Sequence, residues 1–473
     1  MKETNKNFIY NLLYQVFVFV IPLVTTPYVS RILGVENIGI YSYTYSLAYY
    51  FMLAIMLGIN NYGAREIAKL QSDKEKRSYK FWSVYGLQLI NSLMMITLFS
   101  LFVCFTNYQY KNILIFQLIY LFSTMFDINW FYFGMEKFKI TISRNIIIKL
   151  LSLILIFIFV KDSNDLIVYT IILSGSTLIS QLTLWLYLKK DIIFVKVNLK
   201  DILTNLKPCL VLFIPVIAYS IYRVMDKTMI GYFADVRQLG NFESAEKIIN
   251  IPISIITALG TVMIPHMSKV DDEQISENIC DTYKLCFFMI YPIIIGLLLV
   301  SKNFCNIFFG KEYDLTPTII NLLLSTVFFS CITNITRNNF LIPKSKDKIY
   351  VNSTICGAIV NFVLNYIFIR KYGAYGACVG TIAAEFSVMM YQVYKTKNYI
   401  NYFDNLKATM PFLFSSIVIG IIIYLIGLIN LNNNVKIVIQ VLVSILVYLM
   451  LNIKYIKNEI FGKKNNSKEC ISD

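Results

Sequence analysis

The chain has 473 residues, 57% of them apolar or aromatic and only 15% charged, against about 25% charged in an average soluble domain, which excludes a soluble globular fold. A formal charge of +15 would suit a nucleic-acid binder, but the basic residues lie in short loops between apolar runs rather than on one polar face. The nine cysteines are scattered, mostly within apolar segments, and no C-x-x-C pair offers metal or redox spacing.

In chain order, hydropathy and loop punctuation predict spans at 8–29, 38–60, 81–106, 112–134, 142–160, 166–188, 208–231, 248–268, 285–301, 316–336, 349–369, 372–394, 408–429 and 437–453. Each is long enough to cross a hydrocarbon core of about 30 Å as a helix. The expected fold is all-α, a polytopic membrane protein of about 14 transmembrane helices; the short ninth and last spans also admit twelve or thirteen crossings. Lys2 and Lys6 before an apolar run resemble a signal peptide, but the run over 8–29 is too long and lacks a small-residue cleavage pattern. It is expected to be the first helix, with no soluble domain before it.

Of the 43 Lys and Arg, 30 fall on the N-terminal side of alternate loops, 10 on the other side, and three (Lys149, Arg223, Lys227) within spans. That asymmetry marks the N-terminal side as cytoplasmic, and an even number of spans would put both termini there. Trp82, Trp130 and Trp185 fall near cytoplasmic span ends, where an amphipathic indole sits well. No hydrophilic stretch exceeds about twenty residues, short of the roughly 50 that an independent catalytic domain needs. The protein is therefore expected not to be an enzyme.

A weak internal repeat sets Ile21-Pro22 beside Ile214-Pro215, each followed by an outer loop of like character, LGVENIGIY (33–41) and IGYFADVRQLGNF (230–242). The simplest organisation is a six-helix bundle over 1–190, a cytoplasmic linker over 191–207, a second six-helix bundle over 208–400, and two additional helices with a cytoplasmic tail over 401–473. Transporters commonly bind substrate between such repeats.

Charges inside spans are the informative residues, because each costs about 2.5–3.5 kcal/mol at mid-bilayer on insertion scales. Arg223, Asp226 and Lys227 stand at i, i+3 and i+4 on one face of the seventh span. They form either an internal ion pair with a snorkelling lysine or a cationic patch for a pyrophosphate, whose oxygens an Arg fork binds bidentately. Lys149 and Arg31 join the cationic candidates, against snorkelling and solvated rim roles. Asp127 and Glu385 are acidic candidates for H+ or Na+ coupling, against structural charge pairing. His266 has no metal partners and is assigned a structural role. Tyr41, Tyr45 and Tyr49 line one face of the second span, for packing or sugar stacking. Asp271-Asp272-Glu273 is the one acidic cluster in an inner loop and is expected to temper that loop's charge.

Four blocks carry a family resemblance: NFIYNLLYQVFVFVIPLVTTPYVSRILGVENIGIYSYTYSLAYYFMLAIMLGINNYGAREIAK (7–69), DINWFYFGMEKFKITISRNIIIK (127–149), MDKTMIGYFADVRQLGNFESAEKI (225–248) and GAYGACVGTIAAE (373–385). Together they resemble Wzx-type oligosaccharide flippases of the MOP superfamily. The resemblance implies two six-helix bundles around a central cavity that opens alternately to each side. It also implies a flippase moving undecaprenyl-pyrophosphate-linked oligosaccharide repeat units to the outer leaflet, with membrane lipids, a polysaccharide polymerase and chain-length machinery as partners, and no nucleic acid. Asp127, Arg144 and Lys149 lie in its second block, Asp226 and Lys227 in its third, and Glu385 ends its fourth. The substrate-binding set is then Arg223, Lys227, Lys149 and Arg31, and the ion-coupling or charge-pairing set Asp127, Asp226 and Glu385, with no cofactor beyond H+ or Na+. The rival readings are a cation-coupled multidrug exporter of the same superfamily and a membrane glycan polymerase or glycosyltransferase.

Overall fold

The computed structural model describes residues 2–106, 109–268 and 272–457, with backbone only at 2–20, 215, 218, 219, 221, 222, 262, 265, 266 and 272–277. The side chains of Pro215, His266 and Asp271–Glu273, and with them the expectations they carry, lie outside the described residues. Every regular element among the described residues is helical: α1 (Lys2–Met56), α2 (Ile59–Ala68), α3 (Lys74–Phe105), α4 (Lys111–Met125), α5 (Asn129–Gly134), α6 (Phe138–Phe159), α7 (Leu166–Leu188), α8 (Leu199–Thr204) and α9 (Leu206–Phe233). They continue as α10 (Val236–Met267), α11 (Asp272–Phe308), α12 (Thr316–Thr336), α13 (Asp347–Tyr372), α14 (Ala374–Thr396), α15 (Tyr402–Ala408), α16 (Met410–Leu428), α17 (Asn433–Leu451) and α18 (Ile453–Tyr455). Helices satisfy every backbone N–H and C=O internally, which hydrocarbon cannot do for them.

Among the described residues, ten helical segments have the length and apolar composition to cross a membrane, the first being Ile21–Ala68 with 48 residues. This is a multi-pass membrane protein; the count of fourteen is not fixed by these segments. At about 1.5 Å per residue the first segment is more than twice as long as a hydrocarbon core is thick. Gly34, at φ 79° and ψ 168°, breaks it in two. The residues expected to form outer loops are thus largely helical: 33–41 continues α1 past the Gly34 kink, and only Ala234 and Asp235 separate α9 from α10.

Proximity divides the chain into two compact units, one of residues 1–243 with 365–377 and the other of 244–364 with 378–473. This grouping differs from bundles ending at 190 and beginning at 208, because α9 and the start of α10 pack against α1. Glycine makes the approach close: a Cβ on Gly39 would lie 1.7 Å from the Val236 carbonyl oxygen, and one on Gly240 would lie 1.9 Å from that of Val35. The segment 191–207 is tied to the same unit. Arg77 donates to the Asp191 carbonyl at 2.7 Å, Lys137 pairs with the Asp191 carboxylate at 2.5 Å, and Lys80 reaches Asn205 Oδ1 at 2.8 Å.

Trp130 is a core residue rather than an interfacial one. Trp130 is fully buried, Trp82 and Trp185 pack on the same core, and all three indole N–H groups bond within the protein, to Gln88 Oε1, the Ile193 carbonyl and the Phe126 carbonyl. In the second unit the core is aromatic, with Tyr283, Phe287, Phe309 and Tyr313 fully buried.

Candidate functional site

Within the first unit, α2, α4, α5, α6 and α7 line a half-open cavity of about 600 Å³. Two helices present polar stripes to it: Arg144, Asn145, Lys149 and Ser152 on α6, and Ser176, Thr177, Ser180 and Gln181 on α7. Those spacings of one, three and four place each set on a single helical face. Asp127, at the break between α4 and α5, completes the charged lining.

The polar groups there are held by one another. The Asp127 carboxylate accepts from the Asn129 backbone N–H at 2.9 Å and from its amide at 2.7 Å, and that amide also donates to Gln181 Oε1 at 3.1 Å. Buried Arg144 donates to the Ser180 carbonyl at 2.9 Å, to Asn129 Oδ1 at 3.0 Å and to Asn145 Oδ1 at 2.8 Å. Gln88, fully buried on α3, donates to the Thr124 and Asp127 carbonyls at 2.9 Å each and so fixes the helix break that aims Asp127. Tyr120 on α4 lines the cavity and shares a 2.9 Å hydroxyl contact with Tyr41. The Tyr41, Tyr45 and Tyr49 stripe stacks behind it, ring centroids 6.0 and 6.2 Å apart. A second cavity of about 430 Å³, bounded by Lys139 and Tyr187, shares Arg144 and Ile148 with the first.

The charges of α9 form a separate group in the same unit. Lys227 pairs with Glu243 of α10 at 2.6 Å, and the same carboxylate oxygen accepts from Ser42 at 2.9 Å. Asp226 is buried and accepts from the Asn365 amide at 2.5 Å. Thr228 bonds Ser46 at 3.0 Å. Arg223 is half-buried and Arg31 exposed, and neither lines the two cavities. Glu385 lies in the other unit, where it accepts from Ser330 at 2.9 Å. That unit also has an apolar groove of about 450 Å³ between α11, α16 and α17.

The structure thus brings Asp127 and Lys149 to one cavity and Asp226 and Lys227 to one charged group. Sequence reasoning passed over Glu243, because it assigned that residue to an outer loop. It also gave no role to Asn129, Gln181 and Asn145; the signal was present in the stripe Ser176, Thr177, Ser180 and Gln181 within an otherwise apolar run.

The family profile for polysaccharide biosynthesis proteins matches residues 4–271, more than half of the chain. The chain belongs to the polysaccharide biosynthesis protein family. A profile for the lipid II flippase MurJ matches residues 240–450 of this family member. A Shigella dysenteriae protein named for O-antigen transport is 25% identical over 80% of the chain and 96% of its own length. A protein named likewise from Escherichia coli K12 is 23% identical over 80% and 93%. Among solved structures, lipid II flippase MurJ in an inward closed conformation superposes with a TM-score of 0.73 at 17% identity, covering 96% of this chain and 99% of that one. An inward-facing multidrug resistance MATE transporter of the MOP superfamily gives 0.55 at 15% identity over 80% and 98%. These two likenesses establish the MurJ-like, MOP-type fold of this polysaccharide biosynthesis family member.

Proposed function

We propose that the protein flips undecaprenyl-pyrophosphate-linked oligosaccharide repeat units from the inner to the outer leaflet of the bacterial cytoplasmic membrane by alternating access, for cell-surface polysaccharide assembly. The observation that carries this reading is a half-open cavity bearing cationic and polar side chains among apolar helices in a chain of the polysaccharide biosynthesis family. A single charge costs about 2.5–3.5 kcal/mol at mid-bilayer on insertion scales, and a pyrophosphate with its glycan costs more. A hydrated, hydrogen-bonding passage removes that barrier while the polyprenyl tail stays in lipid or in the apolar groove of the second unit. No bond is made or broken, so the protein is a transporter rather than an enzyme.

Arg223 and Lys227 are the cations assigned to the pyrophosphate. Lys227 already holds a carboxylate, Glu243, at 2.6 Å, so a phosphate oxygen that takes its place would require Glu243 to take up a proton or another cation, because a buried carboxylate deprived of its ion-pair partner is costly. Lys149 and Arg31 are assigned to the cationic path. Asp127, Asp226 and Glu385 are the groups through which H+ or Na+ would couple. Both termini face the cytoplasm, where 30 of the 43 basic residues would then lie. A polysaccharide polymerase and chain-length machinery would draw the product onward.

The test is reconstitution in liposomes with a fluorescent undecaprenyl-pyrophosphate oligosaccharide in both leaflets, read by its protection from a membrane-impermeant reagent. Faster loss of protection than in protein-free liposomes, slowed by Arg223→Ala, supports the reading. Unchanged protection with Na+- or H+-driven dye efflux instead moves the protein to the drug-exporter branch.

A further inference from the structure

We infer that the connection from α7 to α9, residues 189–207, is a membrane-surface strap that seats apolar side chains beneath anionic phospholipid headgroups and holds those headgroups with lysine. The inference goes beyond the translocation reading and does not depend on what the protein carries. It begins with the depth of the strap. α3 has 32 residues, about 48 Å of helix against a hydrocarbon core of about 30 Å. All its charged residues, Lys74, Glu75, Lys76, Arg77 and Lys80, fall in its first two turns, so that end projects into the headgroup layer. The strap is bonded there. Besides the Arg77 bond to the Asp191 carbonyl, the Ile193 N–H donates to Ser78 Oγ at 3.1 Å, the Trp82 indole to the Ile193 carbonyl at 2.9 Å, and Ser83 to the Asp201 carbonyl at 2.9 Å.

Pinning the backbone on one side leaves the other side for lipid. Ile192 is buried and Ile202 packs on the same core, whereas Phe194 is 80% exposed and Leu199 62% exposed, with Ile193 and Leu203 exposed beside them. Leu199 and Leu203 stand at i and i+4, one face of α8. Phe194 meets the protein edge-on at Trp82, ring centroids 5.3 Å apart, and is otherwise open.

Charge identifies the partner. The strap holds five lysines, Lys189, Lys190, Lys196, Lys200 and Lys207, and two carboxylates, Asp191 and Asp201. Both carboxylates are engaged on the inner side, Asp191 by Lys137 and Asp201 by the Tyr79 hydroxyl, each at 2.5 Å. Just ahead of α3, lysine is neutralised locally, Lys69 by Glu66 at 2.8 Å and Lys76 by Asp73 at 3.1 Å. The five strap lysines are all exposed, and among the described residues none has a carboxylate partner. A cluster of about four to eight basic residues flanking a spanning helix attracts anionic headgroups, and apolar side chains between them enter the acyl boundary below. A protein partner is met by a contiguous apolar patch with a polar rim; here lysines punctuate the apolar run from end to end, which fits a charged layer over an apolar one.

The experiment places the full-length chain, one copy per nanodisc, with Asn198→Cys carrying an environment-sensitive fluorophore and Cys104 and Cys470 replaced by Ser. Asn198 is exposed and its side chain makes no capping bond. Discs of phosphatidylcholine are compared with discs containing phosphatidylglycerol, and quenching by acrylamide, a neutral solute, is read. Anionic discs are expected to blue-shift the emission and reduce quenching, each lysine strengthening the lipid contact roughly fivefold. Raising salt so that the screening length falls from about 10 Å to about 3 Å is expected to reverse most of the effect. Replacing Lys189, Lys190, Lys196 and Lys200 together by Gln should abolish the difference between discs, with helical circular dichroism confirming the fold, and Phe194→Ser should raise quenching in anionic discs. Equal quenching of the wild type in both discs overturns the inference, as does a full difference retained by the quadruple variant or unchanged quenching in Phe194→Ser. The same shift in phosphatidylcholine discs given soluble glycerol phosphate also overturns it, since that marks a plain anion site. Disc lipid is the same on both faces, so the outcome does not depend on orientation, and the liposome assay scores translocation separately.

Discussion

Gly39 and Gly240 cross backbone to backbone: a Cβ on the first would meet the Val236 carbonyl and one on the second the Val35 carbonyl, each closer than 2 Å. The two Gly-x-aromatic segments of the sequence therefore meet at their glycines. Neither obstructing atom is a flexible side-chain end, so the helices themselves must move apart. Gly39→Ala and Gly240→Ala are each expected to cost at least the 1–3 kcal/mol typical of overpacking, roughly, read as a lowered Tm in detergent. Gly175, where a Cβ meets nothing within 4 Å, is the control, and its Ala variant should unfold like the wild type.

Lys227 and Glu243 are an interhelical pair with side chains only 21% and 16% exposed. Removing one partner deprives the other of its ion pair, at a cost of about 3–5 kcal/mol. Lys227→Met should lower Tm strongly, while Lys227→Met with Glu243→Leu should recover most of the loss. Both variants should fail to flip a lipid-linked glycan in liposomes. A double variant as unstable as the single one would show that the helices need something other than charge balance here.

Arg144→Lys keeps the charge but loses the fork that reaches Ser180, Asn129 and Asn145 together. Two or more buried acceptors are left, at about 1–3 kcal/mol each. Thermal unfolding should fall accordingly, and maleimide access at Ser176→Cys should rise as Asn129 and Gln181 lose their brace.

Gln88 is fully buried, and its amide serves the Thr124 and Asp127 carbonyls while its oxygen accepts the Trp130 indole N–H at 3.1 Å. Gln88→Leu fills the same space and satisfies none of them. The expected loss is about 2–4 kcal/mol, checked by denaturant unfolding.

Composition and hydropathy reveal the all-helical, multi-pass architecture because lipid imposes the same demand on every span. The Gly-x-aromatic steps at Gly39 and Gly240 were legible too. What those residues do was hidden, since loop-like composition around Gly34 and Ala234 concealed helices that run on past the expected span ends. Glu243 was lost for that reason: three turns of α10 had been counted as loop. Asp127 and Lys149 stood out because a charge in an apolar run is conspicuous, whereas Asn129, Asn145 and Gln181 are ordinary residues until three helices bring them together. Trp130 misled in the other direction, since position near a span end describes an interfacial anchor and a buried core residue equally well.

That tryptophan arrangement makes the protein its own optical probe. Trp82, Trp130 and Trp185 are the chain's only indoles, all belong to one aromatic cluster of the first unit, and Trp185 is bonded to the carbonyl of Phe126, the residue before Asp127. Intrinsic emission therefore reports on one unit alone, beside the cavity wall, and is silent about the other. Melting followed by fluorescence and melting followed by helical circular dichroism will coincide only if the two units unfold together.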